Sequence, residues 1–392
     1  MLTKLLFFFA LGVIVASSGE YTDRKCGDDI LNLWLEVVLV IDNSKGMTQS
    51  MYDVVDNISQ VFGWGTTIGT SLLNKKTTRV GLVTYNEEPS IIADLDSYNS
   101  YDDLLDGVAN IKFSSSESSH LSNGLMAAEE AFWQGAITKP NRAHYKKAII
   151  VYASTLNRIN GVPDPGPIET RLREQGITVI TTVFGQNTIS EADLEEIRNR
   201  FSHFIEPSAP GTLVQEIQKA LLQANCYCPE GWTQYRSSFS DVFSHRYGVC
   251  IQPIPSPIAV WKTARIACRN LRTNAYLVNE YTNHKHNYVL SVVENSTGFA
   301  QPLAYHIGLS LSNGKWNWEQ PPGMSSVVQQ DYSPWTDGYP FVSSTLSGVM
   351  NQQLTKTSKT VGWVNVNSMS FTAQYVCEIA ACDTENYCRE ED

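Results

Sequence analysis

From Leu33 onward the chain alternates short, unbroken apolar runs with segments whose apolar residues recur every three or four positions. The runs at Val37–Ile41, Lys147–Ala153 and Ile177–Phe184 are rich in β-branched residues, as befits strands buried on both faces, and a short strand is predicted over Arg79–Tyr85. Between them, Met51–Phe62 sets Met51, Val54, Val55, Ile58, Val61 and Phe62 at helical spacing. Further helices are predicted over Tyr101–Ile111, Gly124–Ala136, Ile168–Gln175 and Thr212–Ala224. Gly176 stops the third of these. Ser190 caps another, over Ala192–Phe201, with Asp193 in its first turn. Shorter strands fall at Ser90–Ala93 and His203–Glu206. Strands alternating with helices of this length predict parallel β-α-β units and an α/β doubly wound sheet.

The run Val37–Ile41 ends in a polar loop, Asp42-Asn43-Ser44-Lys45-Gly46. Ligands of open α/β sheets sit at the carboxyl ends of strands. The oxygens of Asp42 and Ser44 suit a hard cation such as Mg²⁺. Here the sequence resembles the von Willebrand factor type A domain, which carries Asp-x-Ser-x-Ser after its first strand at a metal-ion-dependent adhesion site. The resemblance implies Asp42 and Ser44 as metal ligands, yet Gly46 replaces the last Ser. Leu121 stands where the family offers a Thr, with Ser119 and Ser122 as nearby substitutes. Ser154 stands where the family offers a second Asp. Mg²⁺ usually takes one or two carboxylates, so a relic loop bonded to backbone amides is expected instead.

The pattern changes at Asn225-Cys226-Tyr227-Cys228-Pro229, with no flexible linker, which predicts restricted motion between two domains. Cys228-Pro229-Glu230-Gly231-Trp232 opens a series continued by Tyr247, Cys250, a helix bearing Trp261, Ala264, Ala267 and Cys268, and Tyr305-His306-Ile307-Gly308-Leu309. Trp316-Asn317-Trp318, Trp335 to Pro340, Gly362-Trp363-Val364-Asn365 and Tyr375-Val376-Cys377-Glu378 follow. In order and spacing this series resembles a C-type lectin-like domain, an α+β fold. Sugar-binding members hold Ca²⁺ with Glu-Pro-Asn or Gln-Pro-Asp in a loop and Trp-Asn-Asp on a strand. The corresponding residues here are Tyr339-Pro340-Phe341 and Trp363-Val364-Asn365. Ca²⁺ takes six to eight oxygens, and Asp331, Asp337 and Glu319 fall outside the motif positions. Calcium-free contact through the aromatic faces of Trp335, Tyr339 and Phe341 is therefore expected, beside Asn365.

Residues 1–18, with Lys4 and the run Leu5–Ala16, read as a secretory signal peptide. No later segment is long and apolar enough to span a bilayer, so the chain is expected to be exported. The net charge of −11 argues against nucleic acid as a partner. Eight cysteines in an exported chain read as four disulfides, and 105 pairings are open to them. The two resemblances imply Cys26–Cys226, Cys228–Cys250 and Cys268–Cys377, leaving Cys382–Cys388 to close a tail loop. Asn57 and Asn295 begin glycosylation sequons. His284-Lys285-His286 reads as a solvated surface turn. No nucleophile elbow, zinc-protease helix or phosphate-cradling glycine loop is present.

The organisation expected is a signal peptide (1–18), a type A domain (26–226), a C-type lectin-like domain (228–380) and a tail (381–392). That order resembles the large nematode families of secreted lectin-like proteins. It implies a non-enzymatic recognition protein for glycans or glycoproteins, possible microbial ones included, with no cofactor because the Ca²⁺ and Mg²⁺ sites are degenerate. The alternative is an adhesive or matrix protein that binds a protein ligand through the type A domain.

Overall fold

The computed structural model describes residues 23–63, 65–154, 164–184, 203–205 and 212–389. The expected signal peptide and the helix over Ala192–Phe201 lie outside them. The apolar run becomes β1 (Leu35–Asp42), buried along its whole length. Its side chains alternate between two core layers, as the period of a strand requires. Val37, Leu39 and Ile41 pack with α1 (Met51–Phe62), α2 (Tyr101–Ala109) and the last helix of the domain, α5 (Thr212–Ala224). Val38 and Val40 face α3 (Leu121–Thr138) and α4 (Pro165–Glu174).

β2 (Arg79–Tyr85) and β4 (Lys146–Ala153) flank β1 in parallel register. β5 (Ile177–Val183) and β6 (His203–Ile205) extend one side, and β3 (Pro89–Ala93) closes the other as an antiparallel edge, giving the order β3-β2-β1-β4-β5-β6. The chain leaves β1 in one direction and returns as β4 on the other. A crevice therefore opens outside the carboxyl end of β1, where Asp42 sits. Gly176 ends α4 in the left-handed region, at φ 78°, which glycine adopts without penalty. α3 begins at Leu121 rather than Gly124, because Leu121 is itself a core residue.

The second domain is one mixed sheet. It contains β7 (Thr233–Arg236), β8 (Arg246–Val260), β9 (Tyr276–Leu277), β10 (Ala304–Ser312) and β11 (Lys315–Trp318). β12 (Val327–Val328), β13 (Gly348–Gln352), β14 (Gly362–Val366) and β15 (Thr372–Ala380) complete it. Two helices pack on it, α6 (Trp261–Leu271) and α7 (Asn283–Glu294). Disulfides join Cys26 to Cys226, Cys228 to Cys250, Cys268 to Cys377 and Cys382 to Cys388.

His284-Lys285-His286 is not a surface turn. It forms the first turn of α7, capped by Thr282, whose hydroxyl accepts the Lys285 N–H at 3.2 Å. Lys285 is fully buried, with Nζ 2.7 Å from Asp23 and 2.8 Å from Glu378. Burial opposes the ammonium charge, but the two carboxylates outweigh it and raise the lysine pKa. Glu378 also accepts the Tyr276 hydroxyl at 2.6 Å and the Asn279 amide at 3.1 Å. A buried ion pair holds only when its remaining lone pairs are occupied in this way.

Asp23 brings the start of the described chain onto the second domain, and the contact continues. The Gly248 amide donates to the Arg24 carbonyl at 2.7 Å, and Lys25 bridges to Tyr247. Arg24 pairs with Asp383 at 2.6 Å. From the other end, the 382–388 disulfide loop reaches back to the first domain. Trp34, fully buried, donates its indole N–H to the Asp383 carbonyl at 2.9 Å. Its ring packs against Tyr145, Tyr227 and Tyr387 at centroid distances of 5.3, 5.5 and 4.8 Å. The two domains are thus joined by both ends of the described chain as well as by the connection at Cys226–Cys228. Calorimetry should show one cooperative transition for both domains. Trp34→Ala should destabilise by about 3–5 kcal/mol and split that transition in two. Two transitions in the parent protein would show that the seam is weak.

Candidate functional site

Two loops occupy the positions where related folds bind ligands. In the first domain, β1 delivers Asp42 to the sheet crevice, and the carboxylate is fully buried. One carboxylate oxygen accepts the Ser44 backbone N–H at 2.8 Å. The other accepts the Ser119 hydroxyl at 2.7 Å, the Ser154 backbone N–H at 3.1 Å and the Ser154 hydroxyl. A carboxylate offers about four lone-pair positions, and four protein donors meet this one, one at the first oxygen and three at the second. Ser154 arrives here because β4 runs beside β1 in parallel register, Tyr152 opposite Ile41.

Gly46 fits the same arrangement. A Cβ at position 46 would lie 3.1 Å from the Ser154 hydroxyl, so the Ser154 side chain fills the space a larger residue would need. Leu121 turns into the core, and Ser119 takes the polar role at the loop instead. Ser122 is buried, and its hydroxyl has no hydrogen-bond partner among the described residues. The loop is fixed laterally as well. The Lys45 amide donates to the Ser116 carbonyl at 2.9 Å, and the Lys45 ammonium pairs with Glu117. Tyr85 lies buried beside Asp42, and burial first, then the Asp42 charge, raises its phenol pKa. A single carboxylate that already accepts four protein donors, with no second carboxylate at the loop among the described residues, does not fit a divalent cation that usually takes one or two carboxylates and several open oxygens.

In the second domain, β14 carries Trp363 and Asn365 to the lectin-like loop. Glu280 anchors the strand from below, accepting the Trp363 indole N–H at 3.0 Å and the Asn351 amide at 2.8 Å. His286 lies 2.8 Å from the same carboxylate. Burial disfavours the imidazolium, but the Glu280 charge and hydrogen bond prevail and raise the His286 pKa.

Asn365 replaces a cation by an amide. Its Oδ1 accepts the Phe341 N–H at 2.8 Å, while its Nδ2 donates to the Phe341 and Leu346 carbonyls at 2.9 and 3.0 Å. Every atom a Ca²⁺ ligand would offer here is engaged in holding the loop. Glu319 accepts from Arg265 at 2.7 Å and Arg269 at 3.0 Å, while Asp331 and Asp337 are exposed. Among the described residues no three His, Cys, Asp or Glu side chains gather as a metal site. The residues present do not fit Ca²⁺ either.

The structure brings Tyr339, Phe341 and Asn365 together, with the two rings edge-to-face at 4.5 Å. Tyr339 is half-buried against Met350, Val364 and Val366, and Phe341 is 54% exposed. Trp335 is apart from them in role. Its half-buried ring packs 5.0 Å from Trp316 and 5.5 Å from Trp363, so it supports the sheet instead of presenting a free face. Asn57 also departs from expectation. It is a buried residue of α1 whose Oδ1 accepts the Tyr152 hydroxyl at 2.9 Å, which leaves no room for a glycan. Asn295 is exposed at the end of α7.

The family model of the von Willebrand factor type A domain matches residues 36–220, and that of the C-type lectin domain matches residues 259–379. The chain is a type A domain followed by a C-type lectin domain. C-type lectin domain-containing protein 160 of Caenorhabditis elegans is similar over 396 aligned residues at 26% identity. The alignment takes in 94% of this chain and 56% of that protein, so the chain spans little more than half the length of this curated relative. Two solved structures are similar over about half of this chain. One is proximal thread matrix protein 1 from the mussel byssus, with 17% identity, 51% of this chain, 49% of that one and a TM-score of 0.40. The other is an aerotolerance-related membrane protein from Bacteroides fragilis, with 14% identity, 48% and 98% coverage and a TM-score of 0.36.

The type A loop yields a direct expectation for metal. Millimolar Mg²⁺ should leave the melting temperature unchanged. Asp42→Ala should lower stability by about 1–3 kcal/mol or more, because it strands buried donors. Micromolar Mg²⁺ binding by calorimetry, lost in Asp42→Ala, would contradict this reading.

Proposed function

We propose that the chain is an exported, non-enzymatic recognition protein that binds glycans or glycoproteins through the lectin domain without a divalent cation. The observation that carries the reading is the Asn365 amide, which closes the Tyr339–Leu346 loop by three hydrogen bonds where a calcium-dependent lectin needs free oxygens. What the loop offers instead is aromatic surface. Phe341, supported edge-on by Tyr339, presents a ring on which the C–H face of a sugar can lie. Both families are generally non-enzymatic, which supports a binding role. Four disulfides support an oxidising compartment, and no helix among the described residues is long and apolar enough to cross a membrane. Microbial glycans are one class of ligand consistent with this reading.

A second reading, adhesion to a protein partner, is favoured by one feature of the type A domain. Tyr52, the second residue of α1, follows the Asp42 loop and is 83% exposed, as tyrosines at protein interfaces are before binding. A glycan array and a pull-down from matrix proteins separate the two readings.

Glycan binding should be the same with and without EDTA. Phe341→Ala should weaken it about two- to tenfold, the range of an aromatic contact worth roughly 0.5–1.5 kcal/mol, with little change in melting temperature because the ring is exposed. Loss of binding in EDTA, or a Phe341→Ala variant that binds as the parent does, would refute the aromatic site.

A further inference from the structure

The buried ring of His286 stands between two acceptors. Its Nδ1 lies 2.8 Å from Oε2 of Glu280, and its Nε2 lies 3.2 Å from the Val361 carbonyl oxygen. Glu280 is itself buried and takes the Trp363 indole N–H at 3.0 Å on that same oxygen and the Asn351 amide at 2.8 Å on the other. Three donors around one carboxyl group suit its ionised form, which accepts only. A neutral imidazole has one N–H and one lone pair. Whichever nitrogen keeps the proton, the other then turns a lone pair toward an acceptor. The imidazolium donates to both.

The three elements joined in this way carry the loop that faces ligands. His286 belongs to α7, Asn351 to β13 and Trp363 to β14, and Val361 is the residue just before β14 begins. The Trp363 amide donates to the Pro334 carbonyl at 2.8 Å, and the Thr336 amide donates to the Trp363 carbonyl at 3.0 Å. Two residues further along the strand, Asn365 holds Phe341 and Leu346. The loop from Tyr332 to Leu346 is thus hung on β14, and the start of β14 is pinned to α7 through His286. Tyr332 closes the arrangement, its ring centred 5.9 Å from His286 and 5.8 Å from Trp363.

The groups around the ring leave Glu280 as its electrostatic partner. Tyr332 donates its hydroxyl to Asn283 at 3.3 Å, and Tyr305 of β10 lies behind Glu280. Burial first, then the Glu280 charge, raises the pKa of both phenols, so both stay neutral. On α7 itself, His284 is engaged with the Tyr235 hydroxyl at 2.6 Å and the Ser237 carbonyl at 3.0 Å, while Lys285 is turned to Asp23 and Glu378. Asp331 and Lys359, close in sequence to Tyr332 and Val361, are exposed, where solvent screens them.

We propose that His286 is a pH-sensitive clamp on the ligand-facing loop, closed while both ring nitrogens are protonated and released when Nε2 gives up its proton to solvent. The neutral ring keeps its Nδ1–H on Glu280 and loses the bond to Val361, which frees the start of β14. The sign follows from linkage. A histidine whose pKa is raised by folding, as this one is, stabilises the fold fully below its unfolded value of about 6.5. That contribution is lost as pH rises through the folded value. Acid therefore tightens the loop and alkali loosens it. The clamp stands whether or not the loop binds glycans, so its test uses no ligand.

The experiment is a magnetic resonance titration of the intact, disulfide-bonded chain from pH 5 to pH 10. The ¹³C-labelled histidine rings are followed together with the ¹⁵N resonances of the Trp363 indole and the Phe341 amide, and His286→Gln assigns the His286 signal. The His286 ring should titrate with a midpoint above about 6.5, and the Trp363 and Phe341 resonances should move with that same midpoint. In His286→Gln both should stay level across the range, and the melting temperature should fall less between pH 6 and pH 9 than in the parent. Glu280→Gln should bring the His286 midpoint down to about 6.5 or below. A parent midpoint at or below that value, or no titration up to pH 10, would overturn the proposal. So would a Phe341 amide that stays still while His286 titrates, or one that still moves in His286→Gln.

Discussion

The side chains that related folds leave open for cations are, in this chain, occupied by the protein's own donors. A buried carboxylate must be neutralised or fully hydrogen-bonded. For Asp42 the second solution is complete, with two backbone amides and two serine hydroxyls. Asn365 solves the parallel problem in the lectin domain with a neutral group that both donates and accepts, which a carboxylate cannot do. Each substitution makes sense only with its neighbours. Ser154 needs the space left by Gly46, and Asn365 needs the Phe341 backbone in reach. The two loops are therefore closed by hydrogen bonds within the protein.

The domain seam extends the same economy of partners. Lys285 is tolerable in the core because Asp23 and Glu378 reach it from the two extremes of the described chain. Trp34 is tolerable because Asp383 accepts its N–H. The first described residues thus complete a buried group of the lectin domain, and the disulfide-closed tail completes one of the type A domain, which ties the stabilities of the two together.

Sequence period made the first domain legible: the runs, the helix spacing and the Gly176 stop are local signals, and they reappear in β1, β4, α1 and α4. The serial motifs of the second half rested on a resemblance, which also supplied the cysteine pairing. The failures share a cause. His284-Lys285-His286 looks solvated because its partners lie at Asp23, Glu280 and Glu378, and Asn57 looks like an acceptor for sugar because Tyr152 is far away in sequence. Trp335 likewise loses its free face to Trp316 and Trp363. Of the metal-site substitutes, Ser119 was readable as a candidate, but no local signal distinguished it from Ser122. Burial of a polar residue by a distant partner leaves no periodic trace.

The backbone amides of Ser44, Ser154 and Phe341 report directly on these closed loops, since they donate to Asp42 and Asn365. Amide hydrogen exchange at those three positions, measured in EDTA and again in millimolar Ca²⁺ and Mg²⁺, is the most direct test. The account predicts strong protection that is identical in both conditions. Weak protection in EDTA that rises when the ions are added would mean that cations, and not the protein's own hydrogen bonds, close the sites.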